Sequence, residues 1–133
     1  MFDVMTGQMA QRAALVREAE SWIGTPYHPH GRVKGAGCDC LTFLAGAFHE
    51  AGLVPKIDIP HYPPDWHMHR SEERYLNGLL QYCVEITPSD PCHLSSVIRP
   101  GDIVLWQFGR CFSHGAIVIV WPKILHEIGR AHV

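Results

Sequence analysis

The sequence predicts an α+β fold, with helices in the first half of the chain and an antiparallel sheet in the last third. Three observations carry this. Two stretches, 8–23 and 40–51, hold apolar residues at helical spacing with Gly and Pro at their ends. Two later runs, Ile103–Phe108 and Ser113–Trp121, are β-branched and aromatic and are separated by turn residues. Helical and strand patterns do not alternate, which argues against βαβ units and a parallel sheet. A chain of 133 residues is expected to form one domain, spanning residues 1–133.

The first helix is expected over 8–23, with Leu15, Ala19, Trp22 and Ile23 on its buried face, Thr6 as cap, and Gly24 and Pro26 as the stop. Thr25–Gly37 contains Pro26, Pro29, Gly31, Gly35 and Gly37 and reads as an irregular loop. The second helix is expected over 40–51, with an apolar stripe of Leu41, Leu44, Phe48 and Ala51 and with Phe43 and Ala47 alongside. Asp39 stands at its N-cap, where a short acceptor side chain satisfies free N–H groups, and Gly52 stands at C′. Val54–His69 is too rich in proline and aromatic residues for one regular element and reads as a long ordered loop. A third helix is expected over Ser71–Tyr82, with Glu72 and Glu73 near its positive end, and 88–96 is a connector. The strands follow: 103–108, a turn at Gly109-Arg110, 113–121, and a short third strand, Lys123–Ile128, after Pro122.

Composition narrows the function classes. Eleven basic and 13 acidic side chains leave a formal charge of −2, so there is no global electrostatic reason to bind nucleic acid. The N-terminal sequence lacks a basic run followed by an apolar core and a small-residue cleavage site. No stretch approaches about 18 uninterrupted apolar residues. A cytoplasmic origin without signal peptide or membrane span is therefore expected. The chain has ten histidines and five cysteines, and the cysteine count leaves at least one thiol unpaired within the chain. Cys38 and Cys40 form a lone C-x-C with no second pair to complete a zinc site. His28-Pro29-His30 and His67-Met68-His69 lack a third ligand at fixed spacing, and His49-Glu50 is not followed by a histidine at position 53. No metal or other cofactor is expected.

The chemistry concentrates on one thiol. A nucleophilic cysteine works as thiolate, which a helix N-terminus favours through its free N–H groups and positive partial charge. Cys40 opens the second helix directly after a Gly-rich loop, and the same N–H groups suit an oxyanion. The best base in the sequence is His114 at the start of a strand. His126 lies 12 positions further on, and antiparallel pairing across the Pro122 turn sets the two imidazoles side by side, with His126 as the orienting third group. The plainer reading makes each of these a packing residue: a small buried thiol and two satisfied strand histidines. Cys38 lies before the helix and lacks its dipole, so it reads as packing. Cys83, Cys92 and Cys111 read as buried or incidental, and Arg110 as either a surface charge or a substrate contact.

Several motifs carry a resemblance. Gly24-Thr25-Pro26-Tyr27, Gly35-Ala36-Gly37-Cys38-Asp39-Cys40 and Glu50-Ala51-Gly52-Leu53 occur in that order. Pro100-Gly101-Asp102-Ile103-Val104, Ser113-His114-Gly115-Ala116-Ile117-Val118 and Ile124-Leu125-His126-Glu127 follow them. Together, over residues 22–127, they resemble the NlpC-type family of cell-wall cysteine peptidases. The insert around Tyr62-Pro63-Pro64-Asp65-Trp66-His67 is similar to the small phage-tail and prophage members. The resemblance implies a papain-like fold and hydrolysis of peptidoglycan stem peptides, typically at the bond from γ-D-glutamyl to a diamino acid. It also implies action in a virion tail or at the cell wall, with phage tail proteins as partners. Cys40 matches the nucleophile, His114 the base and His126 the third member. Tyr27 matches a tyrosine near the thiol that binds substrate or oxyanion, and Asp39 an acidic residue that recognises a free amine. The chain departs from the family at Leu41-Thr42, where many members carry Ser-Gly, and at Cys38, where many carry an apolar residue. Two other readings stand beside this one: a non-catalytic tail component, and an amidase or acyltransferase of the same fold.

Overall fold

The computed structural model describes residues 2–59, 74–86, 97–108, 111–127 and 131–132. It is a mixture of helix and antiparallel sheet, in the expected order. The insert at 62–67, His67-Met68-His69, the cap of the third helix at 71–73, Cys92 and the 88–96 connector lie outside the described residues, as do Gly109-Arg110 and Ile128.

Helix α1 spans Phe2–Glu20, longer at its start and shorter at its end than expected. Thr6 therefore lies within the helix and is not its cap: nothing between positions 2 and 6 breaks helical structure, so the helix runs on. After Glu20 the chain closes tight turns, with Trp22 N–H bonded to Ala19 O and Thr25 N–H to Trp22 O, and Gly24 at φ 90°. Those turns rotate Ile23 off the apolar face, so it is 51% exposed while Leu15, Ala19 and Trp22 are buried.

The segment expected to be wholly irregular contains a small hairpin, β1 (Arg32–Val33) with β2 (Gly37–Cys38). On its other side β2 joins the Pro26–His28 backbone: His28 N–H donates to Cys38 O at 2.9 Å and Cys38 N–H to Pro26 O at 3.1 Å. Position 37 must be glycine for this approach, because a Cβ there would stand 2.7 Å from the His28 Cβ.

Helix α2 (Cys40–Glu50) ends in a Schellman motif. The N–H of Gly52, at φ 79°, bonds to His49 O, and Leu53 N–H bonds to Phe48 O. Thr42 to Ala47 are all buried, so this helix is covered on more than its apolar stripe. Trp22 seats on it at Gly46, where an added Cβ would lie 2.7 Å from the indole, and meets Phe43 edge-on at 5.8 Å. Helix α3 covers Arg74–Leu80, and Tyr75 is its buried residue.

The sheet has the order β3-β4-β5-β6, antiparallel throughout: β3 (Ile103–Phe108), β4 (Cys111–Val120), β5 (Lys123–Glu127) and β6 (Ala131–His132). The first of these strands has its expected bounds. Strand β4 starts two residues earlier than expected, because the pairing slips. Trp106 faces His114 but Gln107 faces Phe112, which leaves Ser113 as an extra residue, a bulge immediately before His114. Ile117, Ile119 and Leu125 join Leu15, Ala19, Trp22, Phe43, Leu44, Ala47 and Tyr75 in one core between helices and sheet. An Arg12–Asp102 ion pair at 2.7 Å ties α1 to the turn before β3. Among the described residues no helix is long and apolar enough to cross a membrane.

Candidate active site

The site is built on the first turn of α2. Asp39 caps it in extended conformation: its Oδ1 accepts from Leu41 N–H at 3.1 Å and Thr42 N–H at 2.9 Å, and the Thr42 Oγ1 accepts from Asp39 N–H at 2.8 Å. This reciprocal box gives Thr42 a structural job. The other carboxylate oxygen, Oδ2, accepts from His30 N–H at 2.9 Å and fixes the loop that leads to the helix. His30 holds φ 64°, an uncommon conformation for a residue with a side chain. Asp39 is buried with both oxygens engaged, which is the N-cap role read from the sequence.

Cys40 follows this cap as the first residue of α2 and is half-buried. Its sulfur has three donors around it: its own N–H, the Gly115 N–H of β4 and the Tyr75 hydroxyl. The contact with β4 is close. A Cβ at position 115 would stand 2.7 Å from Tyr75 Oη, 2.9 Å from Leu44 Cδ1 and 3.2 Å from Leu105 Cδ2, so only glycine lets the strand approach. Burial, followed by the neighbouring Asp39 charge, pushes the Cys40 thiol up to about 12, against the pull of the three donors. The resting thiol is therefore protonated at neutral pH.

Gly115 is the next residue after His114. That imidazole is 6% exposed, and its Nε2 lies 2.9 Å from Nδ1 of His126. Burial, and then His126, pull His114 down to about 4, so it is neutral at pH 7. One of the two facing nitrogens carries the shared proton. If His114 uses Nδ1 as a base, its proton sits on Nε2 and His126 accepts it. Trp106, paired with His114 across β3 and β4, flanks both rings, with centroids 5.4 Å from His114 and 6.1 Å from His126, near parallel to the latter.

Tyr27 is bridged to Cys38 through the backbone and is 42% exposed. Burial raises its hydroxyl pKa, and so do Asp39, Cys40 and Glu127, which places the phenol in the same neighbourhood and keeps it protonated. Cys38 is fully buried, and its Sγ donates to Glu127 Oε2 at 3.7 Å. Burial first and Glu127 next push that thiol up to about 12. Cys38 thus faces a carboxylate inside the protein, without access from solvent. Cys38, Cys40 and Cys83 are thiols rather than disulfides. Among the described residues no three His, Cys, Asp or Glu side chains gather as a metal site.

Three residues of this neighbourhood carried no signal of their own in the sequence. Trp106 reads as an ordinary strand aromatic until the hairpin register sets it beside His114. Glu127 stands in the sequence only as the end of the Ile124-Leu125-His126-Glu127 motif, with no role of its own, yet it is 2% exposed. Tyr75 comes to the thiol only through the placement of α3. An apolar cavity of about 560 Å³ lies between α2 and α3, walled by Leu44, Phe48, Ile57, Tyr75 and Ile103 among others; Cys40, His114 and His126 are not among its walls. The chemistry is therefore assigned from the side-chain cluster and not from the cavity. No family model matches the chain, and no curated protein does.

Proposed function

We propose that the chain is a cysteine peptidase of the NlpC type, with a papain-like fold, that hydrolyses peptidoglycan stem peptides. The observation that carries the reading is the His114–His126 pair at 2.9 Å, one residue from the Gly115 N–H that contacts the Cys40 sulfur at the start of α2. The motif order in the sequence supports the substrate class, typically the bond from γ-D-glutamyl to a diamino acid.

Cys40 Sγ attacks the amide carbonyl and its proton passes to His114 Nδ1, while His114 Nε2–H donates to His126 Nδ1. Both partners rest neutral, so proton transfer accompanies attack and does not precede it. The Cys40 N–H and the protonated Tyr27 hydroxyl donate to the developing oxyanion. The C–N bond then breaks, the imidazolium returns its proton to the leaving amine, and a thioester remains. Water, deprotonated by His114, attacks the thioester and releases the carboxylate and the thiol. His126 steadies the charged imidazole of His114 in both halves of the reaction. Trp106 limits how far either ring can turn.

The test is mass-spectrometric analysis of purified muropeptides incubated with the protein. Products with a new amine on the diamino acid support the reading. Unchanged muropeptides contradict it, and transfer products in place of hydrolysis would point to an acyltransferase.

A further inference from the structure

The reaction above leaves one polar group at the thiol without a task. Tyr75 is 4% exposed, on a helix separated from the motifs of the site, yet its hydroxyl meets two acceptors of one residue. It donates toward Cys40 O at 3.5 Å, a long contact, and its hydrogen bond to the Cys40 sulfur pulls the thiol pKa down. A buried phenol has one proton to donate, and the carbonyl and the sulfur compete for it. The neutral thiol is a weak acceptor and the carbonyl a good one. The thiolate reverses that order, because hydrogen bonds to a charged acceptor are the stronger ones. Gly115 is what permits this, since a side chain at that position would collide with the hydroxyl at 2.7 Å.

We propose that Tyr75 is a positioning residue for the nucleophile: its hydroxyl turns from the Cys40 carbonyl to the sulfur as the thiol loses its proton, and so stabilises the attacking form. This rests on reading Cys40 as the nucleophile. The groups facing that sulfur from the packed elements are Asp39 at the head of α2, Cys38 on β2, Tyr27 beside β2, and the Gly115 N–H of β4. Tyr75 is the donor that α3 adds to them.

The experiment measures the rate of Cys40 alkylation by iodoacetamide at pH 8, with the modified residue located by mass spectrometry. It needs no peptidase activity. Loss of the hydroxyl in Tyr75→Phe raises the thiol pKa. Higher intrinsic nucleophilicity partly offsets the loss of thiolate, so the rate falls by about threefold for each tenfold loss of thiolate. A thermal melt confirms that the variant is folded. An unchanged rate in folded Tyr75→Phe overturns the proposal. If that variant does not fold, 3-fluorotyrosine placed at position 75 keeps the hydroxyl and makes it a stronger donor. The rate then rises if the proposal is right, and an equal or lower rate overturns it. A slowed alkylation in a protein that leaves muropeptides intact would uphold the role of Tyr75 and reject the peptidase.

Discussion

Replacing Asp39 with asparagine has two effects of opposite kind. The substituted side chain keeps an oxygen for the Leu41 and Thr42 N–H groups, so the cap of α2 survives. Its amide nitrogen, however, replaces the oxygen that accepts from His30 N–H at 2.9 Å, and two donors then face one another across a part-buried contact. Leaving a buried donor unsatisfied costs about 1–3 kcal/mol. Asp39→Ala loses the cap as well, for about 0.5–2 kcal/mol more. Chemical denaturation of the three proteins reads these differences as shifts of the midpoint. The second effect concerns the thiol. The Asp39 charge is, after burial, the main reason the Cys40 thiol is hard to ionise. Neutralising it lowers the thiol pKa, so Asp39→Asn reacts faster with iodoacetamide at pH 8 although it is the less stable protein. An Asp39→Asn protein as stable as wild type, or one in which Cys40 reacts more slowly, would refute this account of the helix start.

Two further predictions concern β4. His114 is pulled down from 6.5 to about 4 by burial, and then by His126, so between those values the unfolded chain binds a proton that the folded one refuses. The stability this group supports is fully present above about pH 6.5 and is lost as pH falls toward 4, to the extent of roughly 3 kcal/mol. Urea denaturation at pH 7 and pH 4.5 measures it, and His114→Asn should flatten that dependence. Gly115→Ala puts a methyl 2.7 Å from Tyr75 Oη and 2.9 Å from Leu44 Cδ1. Overpacking of this kind costs about 1–3 kcal/mol, visible as a lower thermal midpoint, and Tyr75→Phe combined with it should recover part of the loss.

What was legible in the sequence was local. Asp39, Cys40 and Gly52 bracket α2 because caps are set by side chains within a few positions of the helix end. The His114–His126 contact was legible because a short turn between two strands forces residues 12 apart onto neighbouring positions. Less local features were not. The hairpin of β1 and β2 has two residues per strand, too few for any alternation to register. The bulge at Ser113 arises from pairing with β3 and is absent from the local pattern of β4. Ile23 fits a helical face by spacing, but the turn after Glu20 removes it from that face. Glu127 becomes a buried partner of Cys38, and Tyr75 a partner of Cys40, only once distant segments pack together. No composition rule signals contacts 89 and 35 positions apart.

The central claim is that Cys40, and not its near neighbour Cys38, is the nucleophile. Both thiols are pushed up to about 12, but Cys40 is half-buried at the first position of α2, and Cys38 is fully buried against Glu127. The decisive measurement is the rate of stem-peptide cleavage by wild type, Cys40→Ala and Cys38→Ala on purified muropeptides. The account predicts that Cys40→Ala abolishes cleavage while Cys38→Ala retains it. Equal loss in the two variants, or cleavage that survives in Cys40→Ala, would contradict it.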